Sequence, residues 1–364
     1  MPDSTLQLVC PTCKTELVHQ NGDLRCAGCG ARFPIREGIP SFAGEDFYWN
    51  EIPRPAMREV LRAARSEGWQ TALYDVFNPP GSEVHATAGD ERRADWLYLL
   101  PLSRESRALD LGCGWGAAAL ALSEVCGLVA AMDATWERVR FLDIRRRQQG
   151  VQNLYPLHGG DTLAFPFPDA YFDLVALVGV LEWLGESHPH LPPQEAQLQA
   201  LRRLHALLRP GGHLYIGIEN RWGYDYLMGR PDHNGLPYVG LLPRPLANWL
   251  SRRYTGKPFR TYQYSMGGYR RLLRRAGFKK VEFYGNLPQY RHPHFLIPLH
   301  GSHAFAYFLS HLWGAFRQST AGRAREYRRP YRLADAGLRL ARCMRLATLA
   351  RYVVPGFGII AQKC

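Results

Sequence analysis

Three apolar runs of this sequence end on an aspartate, and the first opens onto alternating glycines. In "RALDLGCGWGAAAL" Asp110 precedes Gly112, Cys113, Gly114 and Gly116; "LVAAMDA" ends on Asp133 and Ala134; "NLYPLHGGDT" ends on Gly160, Asp161 and Thr162. A strand that breaks into a glycine turn and restarts as a helix lets backbone pass close to a ligand, because no Cβ stands in the way. Gly112, Gly114 and Ala117 can be laid on the dinucleotide pattern G-x-G-x-x-A, so the glycines alone leave the ligand open. The carboxylates narrow it. Asp110, ahead of the turn, sits badly beside a pyrophosphate but suits a ligand carrying an ammonium and a sulfonium. Asp133 follows at the spacing where a carboxylate can accept both hydroxyls of a ribose. Asp161 is placed to receive an adenine amine, with Thr162 and Leu163 beside the ring.

Four cysteines make a second pattern. Cys10, Cys13, Cys26 and Cys29 stand as C-x2-C-x12-C-x2-C in "CPTCKTELVHQNGDLRCAGC". Each C-x2-C turn aims two thiolates at one point, and two such turns on a hairpin close a tetrahedral site suited to structural zinc. "NGD" at Asn21 to Asp23 is the turn signal between them. Cys113, Cys126, Cys343 and Cys364 are scattered and read as single thiols.

These residues need particular elements to hold them. "RALDL", "LVAAMD", "NLYPLH" and "FDLVALV" read as buried strands; "AAALALSEVC" reads as a helix, and "LLRPGGHLYIGIEN" as the end of a helix and a fifth strand. The alternation of strand and helix predicts an α/β chain with a parallel sheet. "YSMGGYRRLLRRAGFKKVEFYG" supplies another helix and a sixth strand, and "GFGIIAQK" a last one. About seventy residues separate those two strands, far more than an ordinary connection, so a helical insertion is expected before the last strand. It holds the His- and aromatic-rich "PQYRHPHFLIPLHGSHAFAYF" and the stretch "LADAGLRLARCMRLATLARY", where Arg339, Arg342 and Arg345 recur at helical spacing.

The string "CPTC…LRCAGCGARFPIREGIP" resembles the small zinc-binding domain related to the tRNA-methyltransferase activator proteins, over roughly the first 42 residues. "LDLGCGWG", "MDA", "GD" with "FPFPDAYFDLV", and "LRPGGHLYI" together resemble the class I S-adenosylmethionine-dependent methyltransferases, over residues 90–285. The resemblance implies a Rossmann-like seven-stranded sheet whose last strand is antiparallel. It implies that Asp110, Gly112 and Gly114 hold the methionine part of S-adenosylmethionine, Asp133 the ribose and Asp161 the adenine. Cys113, Gly116, Ala134, Gly160 and Thr162 complete the expected cofactor contacts. The resulting division is a zinc ribbon (1–42), a helical linker (43–89), the cofactor-binding core (90–285), and a basic, aromatic-rich insertion with the last strand (286–364).

A methyl acceptor belongs beyond the ends of the fourth and fifth strands. The fourth is followed by Glu182 and Trp183, where many small-molecule O-methyltransferases of this fold carry a His; no N-P-P-Y or D-P-P-Y amine-holding pattern is present there. The fifth ends in "IENRWGYDY", offering Glu219, Asn220, Arg221 and Tyr224. Charged side chains seldom crowd a strand end without a ligand or an ion pair. Glu219 is a candidate general base or the salt-bridge partner of Arg221 or of another neighbour. His233, in the turn-rich "GRPDHNGLPY", is the alternative base or a solvated loop residue. Glu182, Trp183, Asn220, Arg221 and Tyr224 are the expected acceptor wall.

Charge adds a question of partners. Residues 202–364 carry 28 Lys and Arg against 6 acidic residues, whereas residues 1–201 carry 17 against 26. A field this lopsided points to an anionic membrane surface, RNA or an acidic glycan, or to an Arg-rich solvated face. The whole-chain pattern is similar to ribbon-bearing methyltransferases of bacterial surface polysaccharide or secondary-metabolite assembly, which makes a sugar, glycan or small-molecule hydroxyl the leading acceptor. An RNA methyltransferase and a non-catalytic cofactor-binding scaffold are the competing readings, and the ribbon is a docking module for a protein partner or a folding support. No signal-peptide pattern opens the chain and no run of 18 apolar residues occurs, so a cytoplasmic address is expected, extended to the inner membrane face if the basic half meets lipid.

Overall fold

A computed structural model describes residues 6–48, 52–76, 88–309, 336, 337, 340 and 347–364. The expected Arg339, Arg342 and Arg345 helix falls almost wholly outside these residues.

The chain opens with a four-stranded antiparallel sheet, β1 (Leu17–Gln20), β2 (Asp23–Cys26), β3 (Arg32–Arg36) and β4 (Ile39–Pro40). Asn21 and Gly22, both at positive φ, turn β1 into β2, as Asn-Gly in a two-residue hairpin should. The four cysteine sulfurs converge, with Cys10 Sγ to Cys29 Sγ at 3.6 Å and Cys13 Sγ to Cys26 Sγ at 3.3 Å. Those separations are too long for a disulfide and near the edge length of a tetrahedron with Zn–S bonds of about 2.3 Å. The set therefore fits structural zinc.

Two helices follow, α1 (Arg54–Glu67) and α2 (Trp69–Val76). The main sheet comprises β5 (Arg107–Leu111), β6 (Leu128–Asp133), β7 (Leu154–His158), β8 (Phe172–Val178), β9 (Leu208–Glu219), β10 (Lys280–Leu287), β11 (Phe295–Pro298) and β12 (Gly356–Gln362). Its spatial order is β7-β6-β5-β8-β9-β12-β10-β11. β5 to β9 run parallel, and β12 is antiparallel to both its neighbours. The seven expected strands are thus present, with β11 added as an eighth that folds back antiparallel along β10, Leu287 opposite Phe295. It lies in the segment read as a helical insertion, where its four-residue run "FLIP" was too short to stand out from the aromatic residues around it.

The central strands are buried almost throughout and largely apolar because helices cover both faces, as parallel sheets require. α3 (Ala117–Val125), α4 (Trp136–Gln148), α5 (Pro193–Leu207) and α6 (Met266–Arg275) make these layers. Trp96 is buried and stacks on Tyr215 of β9 at 3.8 Å. α1 and α2 pack on α4 through Met57, Val60, Ala64, Trp69 and Phe141. A buried arginine, Arg145, lies 3.9 Å over the Trp69 ring and pairs with Glu91 at 2.7 Å.

The ribbon is docked along the sheet's β7 edge. Ser41 forms a parallel bridge with His158, Phe42 N donates to His158 O at 2.7 Å, and Ser41 Oγ lies 2.8 Å from His158 Nδ1. Lys14 Nζ donates to the carbonyls of Phe165 and Phe167, and Val9 N to that of Pro166. An edge that would otherwise expose unpaired backbone is covered. Cys26→Ser is expected to release zinc and lower the melting temperature of the whole chain by several degrees, because the ribbon folds around its metal and caps the edge. Metal analysis with a thermal melt checks it; retention of full zinc content would count against the four-thiolate site.

Candidate active site

In an open parallel sheet the crevice for a ligand lies beyond the carboxyl ends of the strands, where the strand order reverses. Here that point lies between β5 and β8, the strands that lead the chain toward opposite edges. A cavity opens there, lined by Asp110, Gly112, Cys113, Gly114, Asp133, Ala134, Gly160, Thr162 and Trp183 among the expected residues. The glycine turn has the shape that its sequence requires. Gly112 takes φ 72°, and a Cβ there would stand 2.4 Å from Val180 Cγ2. Gly114 takes φ 53°, and nothing lies within 4 Å of where its Cβ would be. One glycine is demanded by packing and the other leaves open room for a ligand. Gly116 does not line the cavity; it starts α3 with φ 86°, against Leu142.

The carboxylates differ in how they are held. Asp110 is 2% exposed, and its Oδ2 has no hydrogen-bond partner. Burial pushes its carboxyl up to about 7, against the pull of Arg93 and with a further push from Asp133. Asp133 accepts from Gly114 N at 2.9 Å and from Thr135 N at 2.8 Å, so its plane is set by the glycine turn itself. Asp161 is beside the cavity rather than in its lining, between Gly160 and Thr162, which do line it. Its Oδ2 accepts from Gly44 N at 2.7 Å and Glu45 N at 3.3 Å, while Oδ1 is buried without a partner. The backbone just after the ribbon therefore orients the carboxylate expected to meet adenine. An ammonium-bearing nucleoside fits this set: an orphaned carboxylate at one end, a side-chain-free turn in the middle and an oriented carboxylate at the other.

A family model for a methyltransferase domain matches residues 109–216, and one for a Trm112p-like protein matches residues 8–38. A ubiquinone biosynthesis O-methyltransferase of Xylella fastidiosa is 30% identical over 201 residues, 52% of this chain and 73% of that protein. The chain belongs to the S-adenosylmethionine-dependent methyltransferases. Methyltransferase GfsG of Streptomyces halstedii is 28% identical over 160 residues, 43% of this chain and 53% of that protein. The chain thus spans about half of GfsG's length. Among solved structures, a phosphoethanolamine N-methyltransferase 2 of Haemonchus contortus in complex with S-adenosyl-L-methionine is similar at 15% identity, with a TM-score of 0.43, over 83% of this chain and 59% of that one.

Trp183, Tyr290 and Arg291 also line the cavity. Glu182 and Glu219, next in space, are buried and do not line the cavity. His233 Nε2 lies 3.6 Å from Glu219 Oε1, and the His233 ring packs 4.3 Å from that of Trp183. Burial and then the facing Glu219 carboxylate push Glu182 well above the usual carboxylate range. Burial would raise Glu219 too, but His233, followed by Arg291 and Arg230, outweighs it and holds Glu219 low. The two candidate bases are thus neighbours. Arg221 is not the partner of Glu219: it donates to the carbonyls of Gly240, Leu241 and Leu242. Asn220 ties the end of β9 to the carbonyls of Tyr352 and Val354, and Tyr224 N donates to Val353 O. None of these three lines the cavity.

Several lining residues carry no local signal. Arg93 reaches the site from the 3-10 helix Glu91–Leu99, and its Nε donates to Arg291 O at 2.8 Å. Tyr290 and Arg291 sit in "PQYRH", visible in the sequence only as part of an aromatic-rich stretch.

The raised Asp110 carboxyl makes a pH prediction. Its folded value lies above its unfolded one, so the ligand-free protein loses stability as pH rises from about 4 to about 7. A cationic ligand needs the carboxylate, so S-adenosylmethionine affinity should fall by up to about tenfold per unit of acidification below pH 7. Asp110→Asn should bind weakly with no such slope. Calorimetry between pH 5 and 8 reads both; an unchanged slope in the variant would place the titrating group elsewhere.

Proposed function

We propose that this chain is an O-methyltransferase that acts on a hydroxyl of a sugar, glycan or other small-molecule acceptor of bacterial surface-polysaccharide or secondary-metabolite assembly. The observation that carries the reading is the cluster of buried Glu182 and Glu219 with half-buried His233, joined to the donor cavity through the lining residue Trp183, whose ring contacts His233. A hydroxyl is a poor nucleophile, and its oxygen must shed a proton as it takes the methyl, so an O-methyltransferase needs a polar group at that place. The relatives named for ubiquinone biosynthesis O-methylation and for 27-O-demethylrifamycin SV methylation agree with oxygen as the target.

S-adenosylmethionine, when bound, supplies an electrophilic methyl on sulfur. Asp110 would hold the ammonium of its amino-acid end, Asp133 its ribose and Asp161 its adenine, and the side-chain-free Gly112 to Gly114 turn would leave room for it. Alignment of the methyl with the acceptor oxygen is the larger part of the rate. Trp183 and Tyr290 make an aromatic wall for the acceptor, and Arg291 offers a cation to an acceptor that carries phosphate or carboxylate. The Glu219 and His233 pair stands beside the place where the acceptor oxygen must shed its proton.

Among the described residues no helix is long and apolar enough to cross a membrane. The ribbon supports the fold by capping β7, and a partner could still dock on its outer face.

Tritiated methyl from S-adenosylmethionine should enter a polysaccharide-lipid or small-molecule fraction of a bacterial extract and leave RNA unlabelled. Glu219→Gln should lower that transfer by about 100-fold or more while cofactor affinity stays. Label confined to RNA would replace the acceptor reading.

A further inference from the structure

Five polar atoms converge at the carboxyl edge of the sheet without a hydrogen bond among them. Glu182 follows β8, Glu219 ends β9 and His233 lies in the loop bridged by Pro231 and Pro237. Both carboxylate oxygens of Glu182, both of Glu219 and Nε2 of His233 lack a hydrogen-bond partner. One ligand atom from each residue lies within 4.8 Å of the other two, and the glutamates are 0% and 1% exposed. Neighbouring groups bond elsewhere. Arg230 pairs with Asp225 at 2.7 Å, Arg221 with three carbonyls, and Tyr269 Oη donates to the Glu219 carbonyl rather than to its side chain. Arg291 Nε donates to the Tyr290 hydroxyl.

Two facing carboxylates removed from water repel each other unless a proton or a cation stands between them. A shared proton would serve one oxygen of each glutamate and leave His233 Nε2 only its 3.6 Å approach to Glu219 Oε1, longer than a hydrogen bond. A single doubly charged ion would satisfy both carboxylates and the imidazole together. We propose that Glu182, Glu219 and His233 form a divalent-cation site at the acceptor end of the cavity, an inference that rests on the methyl-transfer function proposed above. Two oxygens and one nitrogen from three residues occupy one side of a coordination sphere and leave positions for a further ligand. The donor set suits a hard to borderline ion such as Mn²⁺, Fe²⁺ or Zn²⁺ and not a soft one. Trp183 connects the site to the cavity, being next in sequence to Glu182, in ring contact with His233 and part of the lining. An acceptor hydroxyl that reaches an open position on the ion would lose its proton more readily, the proton passing to water. On this account Glu219 and His233 activate the acceptor by holding the ion.

The test uses the full chain with its ribbon zinc in place and manganese(II) chloride as the probe, without cofactor or acceptor. Loss of the free Mn²⁺ paramagnetic resonance signal is expected to report one site. Alternatively, if the site fills during expression, metal analysis should find a second equivalent beyond the ribbon zinc. Glu182→Gln and His233→Ala should each weaken or empty that site by about tenfold or more, with calorimetric S-adenosylmethionine affinity unchanged. His233, on a loop, carries the test if Glu182→Gln does not fold. A wild-type chain that holds one zinc and takes up no manganese at millimolar concentration, or variants that bind it as the wild type does, would overturn the site. Cation binding is read separately from methylation, so a chain that binds manganese and methylates neither fraction would sink the proposed function and not the site.

Discussion

The constraint on which this structure turns is negative charge kept out of water along one edge of a parallel sheet. Asp110, Glu182 and Glu219 stand at or just past the carboxyl ends of β5, β8 and β9, all buried, each with at least one oxygen that no donor reaches. Leaving such groups unpaired costs stability, and the fold retains three of them side by side. That cost is understandable under the roles proposed for them, in which Asp110 meets the cationic end of the cofactor and the Glu182 and Glu219 pair meets an ion. The layers of apolar packing behind them, with Trp96 on Tyr215 and the covering helices, are what hold the carboxylates in place while they wait.

The ribbon belongs to this arrangement. It covers the β7 edge through Ser41, Phe42 and His158, and the chain leaving it sets the Asp161 carboxylate through Gly44 and Glu45. The zinc-binding unit and the cofactor cavity are therefore parts of one packed body, in which the short stretch from Ser41 to Glu45 both protects an edge strand and orients the Asp161 carboxylate beside the cavity.

Local chemistry was readable in advance where it depends on short spacing. The cysteine pairs, the glycine turn and the aspartates at or just past the ends of β5, β6 and β7 all announce themselves because strand, turn and carboxylate are neighbours in the chain. Reading failed where a side chain arrives from far away. Arg93 comes from a 3-10 helix without a motif, and Tyr290 and Arg291 come from a stretch that signals only aromaticity. The wall expected from Asn220, Arg221 and Tyr224 went the other way: their polar groups brace backbone at the end of β9 and at the approach to β12. A polar cluster after a strand is equally consistent with a ligand and with an irregular loop that needs its carbonyls and amides satisfied.

The sequence by itself determined the α/β class, the zinc-binding front and the family of the cofactor crevice, because periodicity and close spacing are local quantities that survive without a fold. Only the tertiary structure decided that Glu182, Glu219 and His233 meet, that β11 extends the sheet and that the ribbon closes its opposite edge. Those outcomes join residues from 8 to 117 positions apart, and strand order and loop packing, not spacing along the chain, set which of them share a neighbourhood.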